Sequence, residues 1–112
     1  MTRFERGDVF LIAFPFSDRS GGKQRPVLVI SSEAYHENRQ EVIVAAITSQ
    51  VGRAYYGDYA LSHWRQAGLL LPSLVTGIIR TVKSSAFTRK LGHVEVADFR
   101  GVEISLRSVL CL

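Results

Sequence analysis

Apolar residues in this chain come in short, β-branched or aromatic runs, and that spacing limits the folds open to it. VFLIAFPF (9–16), PVLVIS (26–31), VIVAAIT (42–48) and SLVTGIIRTV (73–82) are each bounded by glycine, proline or polar clusters. Runs of this length read as buried strands, and they are far too short to span a bilayer as helices. Pro15 predicts the end of the first strand, and Pro26 reads as the first residue of the second. SDRSGGKQ (17–24) reads as a polar loop, and EAYHENRQE as a helical turn plus loop. AYYGDYAL predicts a fourth strand kinked at Gly57-Asp58, and SHWRQAGLLLPS a short helix from Ser62 that stops near Gly68. A bend is expected at Gly77, one helical turn at SSAF and a final strand at TRKLGHV.

Only at the C-terminus does the period change. Val96, Phe99, Val102, Leu106, Val109 and Leu110 recur at three- and four-residue steps, which predicts a helix with one apolar face. Glu95 and Asp98 near its start and Arg107 near its end suit the helix dipole. Gly101 weakens such a helix by about 1 kcal/mol relative to alanine, and Cys111 reads as a terminal hydrophobe. Strand–helix alternation is absent, so the expected fold is mainly β: a small, strongly curved sheet or barrel with a short helix and a C-terminal α-helix. Its 112 residues fit a single domain, 1–112.

One cysteine cannot form an internal disulfide, and no secretion signal or membrane span is visible, so a reduced, cytoplasmic protein is expected. The formal charge is +4, but its distribution says more. Between residues 42 and 94, Arg53, Arg65, Arg80, Lys83, Arg89 and Lys90 face Asp58 alone, a net +5. This is either a solvated basic surface or a patch for phosphate backbones or an acidic protein partner.

Conventional catalytic equipment is missing. His36, His63 and His93 lack a paired ligand spacing, so no metal is expected. Gly21-Gly22-Lys23 precedes a strand rather than a helix, so it is no phosphate loop, and no nucleotide cofactor is expected. Two strand ends remain. If PVLVIS and VIVAAIT pair antiparallel, Arg25 lies across from Thr48, Ser49 and Gln50. A guanidinium beside a hydroxyl and an amide makes a compact oxyanion site; equally, Arg25 could cap loop carbonyls. Trp64 reads as a core anchor more than a base-stacking platform. Tyr55 and Tyr56 beside Arg53 fit nucleic-acid stacking, though weakly. The 17–24 loop is a connection or a cover over a groove.

RGDVFLIAFPFSD, GGKQRPVLVIS, VAAITSQ, HWRQAGLLLPSLV and RTV…FTRKLGHV, in this order, resemble the MazF/PemK-like toxin family nearly end to end. The resemblance implies an SH3-like β-barrel with a C-terminal helix, a homodimer, and a metal-independent endoribonuclease. Such an enzyme cuts single-stranded RNA through attack by the RNA's own 2′-hydroxyl. It also implies a cognate antitoxin with an acidic, disordered tail. Its catalytic positions match Arg25 and Thr48, and Asp18, Lys23, Gln24, Ser49, Gln50, Arg53 and Arg80 are candidates for RNA contacts. Some members carry an Arg-x-Asp pair before the RT dipeptide, where this chain has Val75 and Gly77. The base then comes from elsewhere, with Asp18 a candidate, or Arg25 and Thr48 suffice. The alternative is a CcdB-like toxin that poisons DNA gyrase without cutting RNA.

Overall fold

The computed structural model describes residues 3–13 and 24–112. Pro15, Asp18, Lys23 and the loop before Gln24 lie outside the described residues. The apolar runs form six antiparallel strands: β1 (Asp8–Ala13), β2 (Gln24–Val29), β3 (Glu41–Thr48), β4 (Tyr59–Ala60), β5 (Leu74–Lys83) and β6 (Phe87–His93). Helix α1 (Glu33–Asn38) joins β2 to β3, and α2 (Val96–Leu110) ends the fold. The strand order is β4-β5-β3-β2-β1-β6, one sheet whose edge strands do not pair, so the expected barrel is open.

The runs are continuously apolar because the sheet is buried on both faces. Val9, Leu28, Ala45, Ile47 and Val75 belong to one core cluster, which also takes in Val102 of α2 and Leu61, Ala67 and Leu69 before β5. Phe10, Ile12, Val27, Val29, Val42 and Val44 form the second, closed by Phe4 and Phe87. Successive residues of β1 and β2 alternate between the clusters, as the two-residue period of a strand requires.

Several boundaries differ from the sequence reading. β2 begins at Gln24, which puts Arg25 inside the strand opposite Ile12, and Pro26 third rather than first. Pairing with β3 starts only at Val27, so the proline falls where β2 is bonded on one side. Of the fourth strand, only Tyr59–Ala60 pairs. The residues before it make a turn in which Tyr55 N–H donates to Asp58 Oδ2 (2.8 Å) and Asp58 N–H to the Tyr55 carbonyl (3.0 Å). Residues 62–68 form turns, not a helix. Gly68 does end them, at φ +86 and hard against the Leu91 carbonyl, where no side chain fits. The bend at Gly77 is a β-bulge: Ala45 pairs with Ile79 but Ile47 with Val75. Thr76 satisfies the gap, its hydroxyl donating to the Ala46 carbonyl (2.8 Å) and accepting from Ile78 N–H (3.1 Å).

Helix α2 buries Val102 and packs Phe99 and Leu106 on the core, whereas Val96 and Leu110 are exposed. Its expected apolar face is therefore narrower than the six-residue pattern: Val96 and Leu110, at its two ends, fall outside it. Cys111 is terminal as expected, but it is exposed, and it caps the helix with a left-handed backbone (φ 60). Gly101 has a packing reason. The Tyr59 ring lies directly on the helix backbone there, in the space a Cβ would need. Gly101→Ala is therefore expected to destabilise the fold by about 1–3 kcal/mol through overpacking, against the gain of about 1 kcal/mol that helix propensity alone predicts. Urea unfolding decides between them by the sign of the change.

Candidate active site

Strand register carries Arg25 to its neighbours. Val27 pairs with Ala46 and Leu28 with Ala45. Continued two residues outward, this register sets Arg25 opposite Thr48, the last residue of β3. Arg25, Thr48, Ser49 and Gln50 all line one cleft of about 390 Å³. Arg89 lines it too. It arrives on β6, where it pairs with Leu11, the β1 residue that faces Pro26 on the other side. The sequence reading counted Arg89 only as charge, because nothing local ties residue 89 to residue 25. The basic excess of the middle segment was the one available signal.

Most of the rest of the lining is apolar, with Leu11, Ile47, Leu69, Leu70, Leu71 and Leu91 contributing and Ser73 the polar exception. Among its described lining residues the only ionisable groups are the two guanidiniums, and no described carboxylate pairs with either. Two fixed cations beside apolar walls favour an anion, and planar forks suit phosphate. Thr48 Oγ1 accepts from Gln50 N–H (3.2 Å). With that lone pair engaged, the hydroxyl proton is available to donate into the cleft.

Other expected residues are placed differently. Arg53 lines a second cleft of about 500 Å³ that shares Thr48 and Gln50 with the first. Gln24 lines neither cleft; its Oε1 accepts from the Thr88 hydroxyl (2.8 Å). Arg80, opposite Val44 on β5, also lines neither and donates to the Ile79 carbonyl. Val75 is buried and Gly77 sits at the bulge, so the two Arg-x-Asp places offer no acid or base. Trp64 packs against the core under the Arg65 guanidinium (4.6 Å), as an anchor does.

The histidines are separate. His36 Nε2 meets Ser31 Oγ (2.5 Å), His63 lies 3.6 Å from Asp98, and His93 contacts Asp8 (2.8 Å). Glu5, Asp8 and His93 bring ligand atoms within 4.8 Å of one another, a grouping that linear spacing did not reveal. Within it Asp8 is already engaged by Glu5 N–H (2.9 Å) and Lys90 Nζ (3.2 Å), so the cluster reads as an internally balanced buried carboxylate.

Asp98 is the residue whose importance the sequence concealed. It is 1% exposed and accepts from Ser62 N–H (3.0 Å), His63 N–H (2.9 Å) and Tyr59 OH (2.9 Å). Those bonds tie α2 to the segment leading into Gly68–Leu71, one wall of the cleft. Burial pushes the Asp98 carboxyl up, but the Ser62, His63 and Tyr59 hydrogen bonds outweigh it and hold the group below the ordinary carboxylate range. Burial, and after it the hydrogen bond to Asp98, raise the Tyr59 hydroxyl above its ordinary value.

A family model described as PemK-like, MazF-like toxin of type II toxin–antitoxin system matches residues 5–110. No curated protein matches the sequence. Solved structures share the fold. An endoribonuclease from a mycobacterial species is 20% identical with a TM-score of 0.79, over 100% of this chain and 95% of that one. An endoribonuclease in complex with its cognate antitoxin, also mycobacterial, is 20% identical at 0.78, over 100% and 97%. The MazE–MazF structure from Deinococcus radiodurans is 18% identical at 0.76, over 98% and 97%.

The lowered Asp98 pKa fixes a sign. Its stabilisation is complete above the unfolded carboxyl value of about 3.9 and fades as pH falls through the lower folded value. Asp98→Asn should cost about 1–3 kcal/mol at pH 7 and noticeably less in strong acid, measured by urea unfolding across pH. An equal cost at both ends would refute the ionised hub.

Proposed function

The chain belongs to the PemK-like, MazF-like toxin family of type II toxin–antitoxin systems, and we propose that it is a metal-independent endoribonuclease that cuts single-stranded RNA. The observation that carries this reading is Arg25 set across from Thr48 in a cleft with Arg89 and no competing carboxylate among the described residues. Endoribonucleases with this fold support it.

In this reading the RNA 2′-hydroxyl attacks its own phosphorus. The 5′-oxygen leaves and takes up a proton from solvent or from the Arg25 guanidinium, so a cyclic phosphate and a free 5′-hydroxyl result, while the 2′-hydroxyl proton goes to the base. Negative charge grows on the pentacoordinate phosphate, and preorganised donors aimed at that charge lower the barrier. Arginine, with a pKa above about 12, is a poor base at neutral pH, so Arg25 and Arg89 act as charge-stabilising donors. The Thr48 hydroxyl donates to a phosphate oxygen. Asp18, in the segment before β2, is the candidate base. The protein acts as a single cytoplasmic domain and homodimer, and an acidic, disordered antitoxin tail competes for the same cationic cleft. No helix among the described residues is long and apolar enough to cross a membrane.

Purified protein is expected to cut a diverse single-stranded RNA pool in EDTA, and Arg25→Ala to lose about a hundredfold or more in kcat. Intact RNA together with trapped gyrase cleavage complexes would select the gyrase-poison alternative instead. Binding should also weaken steeply with salt, by roughly 0.7 log units per tenfold salt for each phosphate contacted. Arg89→Ala should flatten that slope by about one contact, as filter binding against salt would reveal.

A further inference from the structure

Two leucines stand exposed on the lip of the arginine cleft. Leu70 is 90% exposed and Leu71 57% exposed, and both line the cavity that holds Arg25, Thr48 and Arg89. Single surface leucines are ordinary; what sets this pair apart is how firmly its backbone is held. On one side, Gly68 N–H donates to the Arg65 carbonyl (3.0 Å) and Leu69 N–H to the Trp64 carbonyl (3.1 Å), while the buried Leu69 side chain anchors the turn in the core. On the other, Pro72 fixes its own φ and Ser73 Oγ donates to the Leu71 carbonyl (2.8 Å). Leu61 N–H donates in turn to the Ser73 carbonyl (3.0 Å). A tip pinned at both ends presents its leucines at little ordering cost when something meets them.

We infer that Leu70 and Leu71 form a wedge that unstacks the RNA bases beside the phosphate held by Arg25, Thr48 and Arg89. The inference rests on the nuclease reading above and deepens it, naming the residues that bring the strand into reacting geometry. Attack by the 2′-oxygen needs that atom, phosphorus and the departing 5′-oxygen in line. A strand stacked in helical order holds the 2′-oxygen to one side of that line, so the bases about the reacting phosphate must be splayed before chemistry. Apolar side chains inserted between bases do this, replacing base–base contact with base–leucine contact. Charge decides the occupant. The only ionisable groups on the described lining of this cleft are the two arginines, so what docks there is anionic. An RNA strand carries a flat, largely apolar base beside each phosphate, and the cleft presents the matching pair of surfaces: cations on its strands and leucines on its lip.

Primer extension on a diverse RNA pool first locates the cut sites of the full chain. A short 2′-O-methyl copy of one site, with 2-aminopurine beside the scissile position, cannot be cut and brightens when that base unstacks. Wild type should brighten it, whereas Leu70→Ala/Leu71→Ala should still bind it but with little brightening. The double alanine variant should also lower kcat by about tenfold or more while changing KM little. The loss should be larger at cut sites flanked by adenines, which stack more strongly than uridines. Leu70→Met/Leu71→Met should restore both readouts, and the urea midpoint should stay unchanged throughout, since both side chains face solvent. Wild-type cutting with brightening and kcat unchanged in the alanine variant would overturn the wedge and leave the nuclease reading standing. So would a fall in that variant's sedimentation coefficient, which would make a second copy of the chain the occupant. If the wild type cuts nothing, the nuclease reading falls and the wedge falls with it.

Discussion

A buried carboxylate with three donors organises the functional end of this protein. Asp98 sits in the first turn of α2, and a surface aspartate there would gain only the modest benefit of the helix dipole. Instead it is enclosed, and its oxygens are taken by the Tyr59 hydroxyl and the Ser62 and His63 amides. An enclosed charge with fewer partners would be costly, so the arrangement is close to all-or-none. Its effect is to lock the C-terminal helix, β4 and the turns before Gly68 into one unit. Gly101 completes that unit by letting the Tyr59 ring approach the helix backbone closely.

The cleft depends on this unit for one wall and on the sheet for the other. The sheet contributes Arg25, Thr48 and Arg89 from three strands, all rigid elements, so the charges need little reorganisation when an anion arrives. The turn segment contributes Gly68, Leu69, Leu70 and Leu71, which exclude water from one side. Apolar walls strengthen the field of the guanidiniums. The exposed leucines are costly in isolation, and Leu70 at 90% exposed is the clearest case.

Much of the fold was legible because strand periodicity and turn residues are local signals. All four long apolar runs became strands, the terminal helix appeared where the period changed, and the Gly77 bend and Gly68 terminator fell where glycines stood. The errors were also physical. The 62–68 segment carries helix-like spacing but is too short to propagate against its pull into the core. The 54–58 segment has β-rich tyrosines, yet the Asp58 side chain closes a turn there first. Arg53 and Arg80 shared the basic character of the middle segment, but Arg53 falls in the turn after β3 and lines the second cleft, and strand register sets Arg80 opposite Val44, away from both clefts.

Sequence alone determined which segments are strands, where the final helix begins, and that Arg25 would face the Thr48–Gln50 stretch, since antiparallel register follows from neighbouring runs. Tertiary structure alone decided that Arg89 joins them, that Thr48 and Gln50 bridge two clefts, and that Asp98 is a hub rather than a dipole-matching surface charge. Each of these depends on contacts between residues tens of positions apart. Such contacts are set by how the sheet orders its strands, and no local pattern encodes that order.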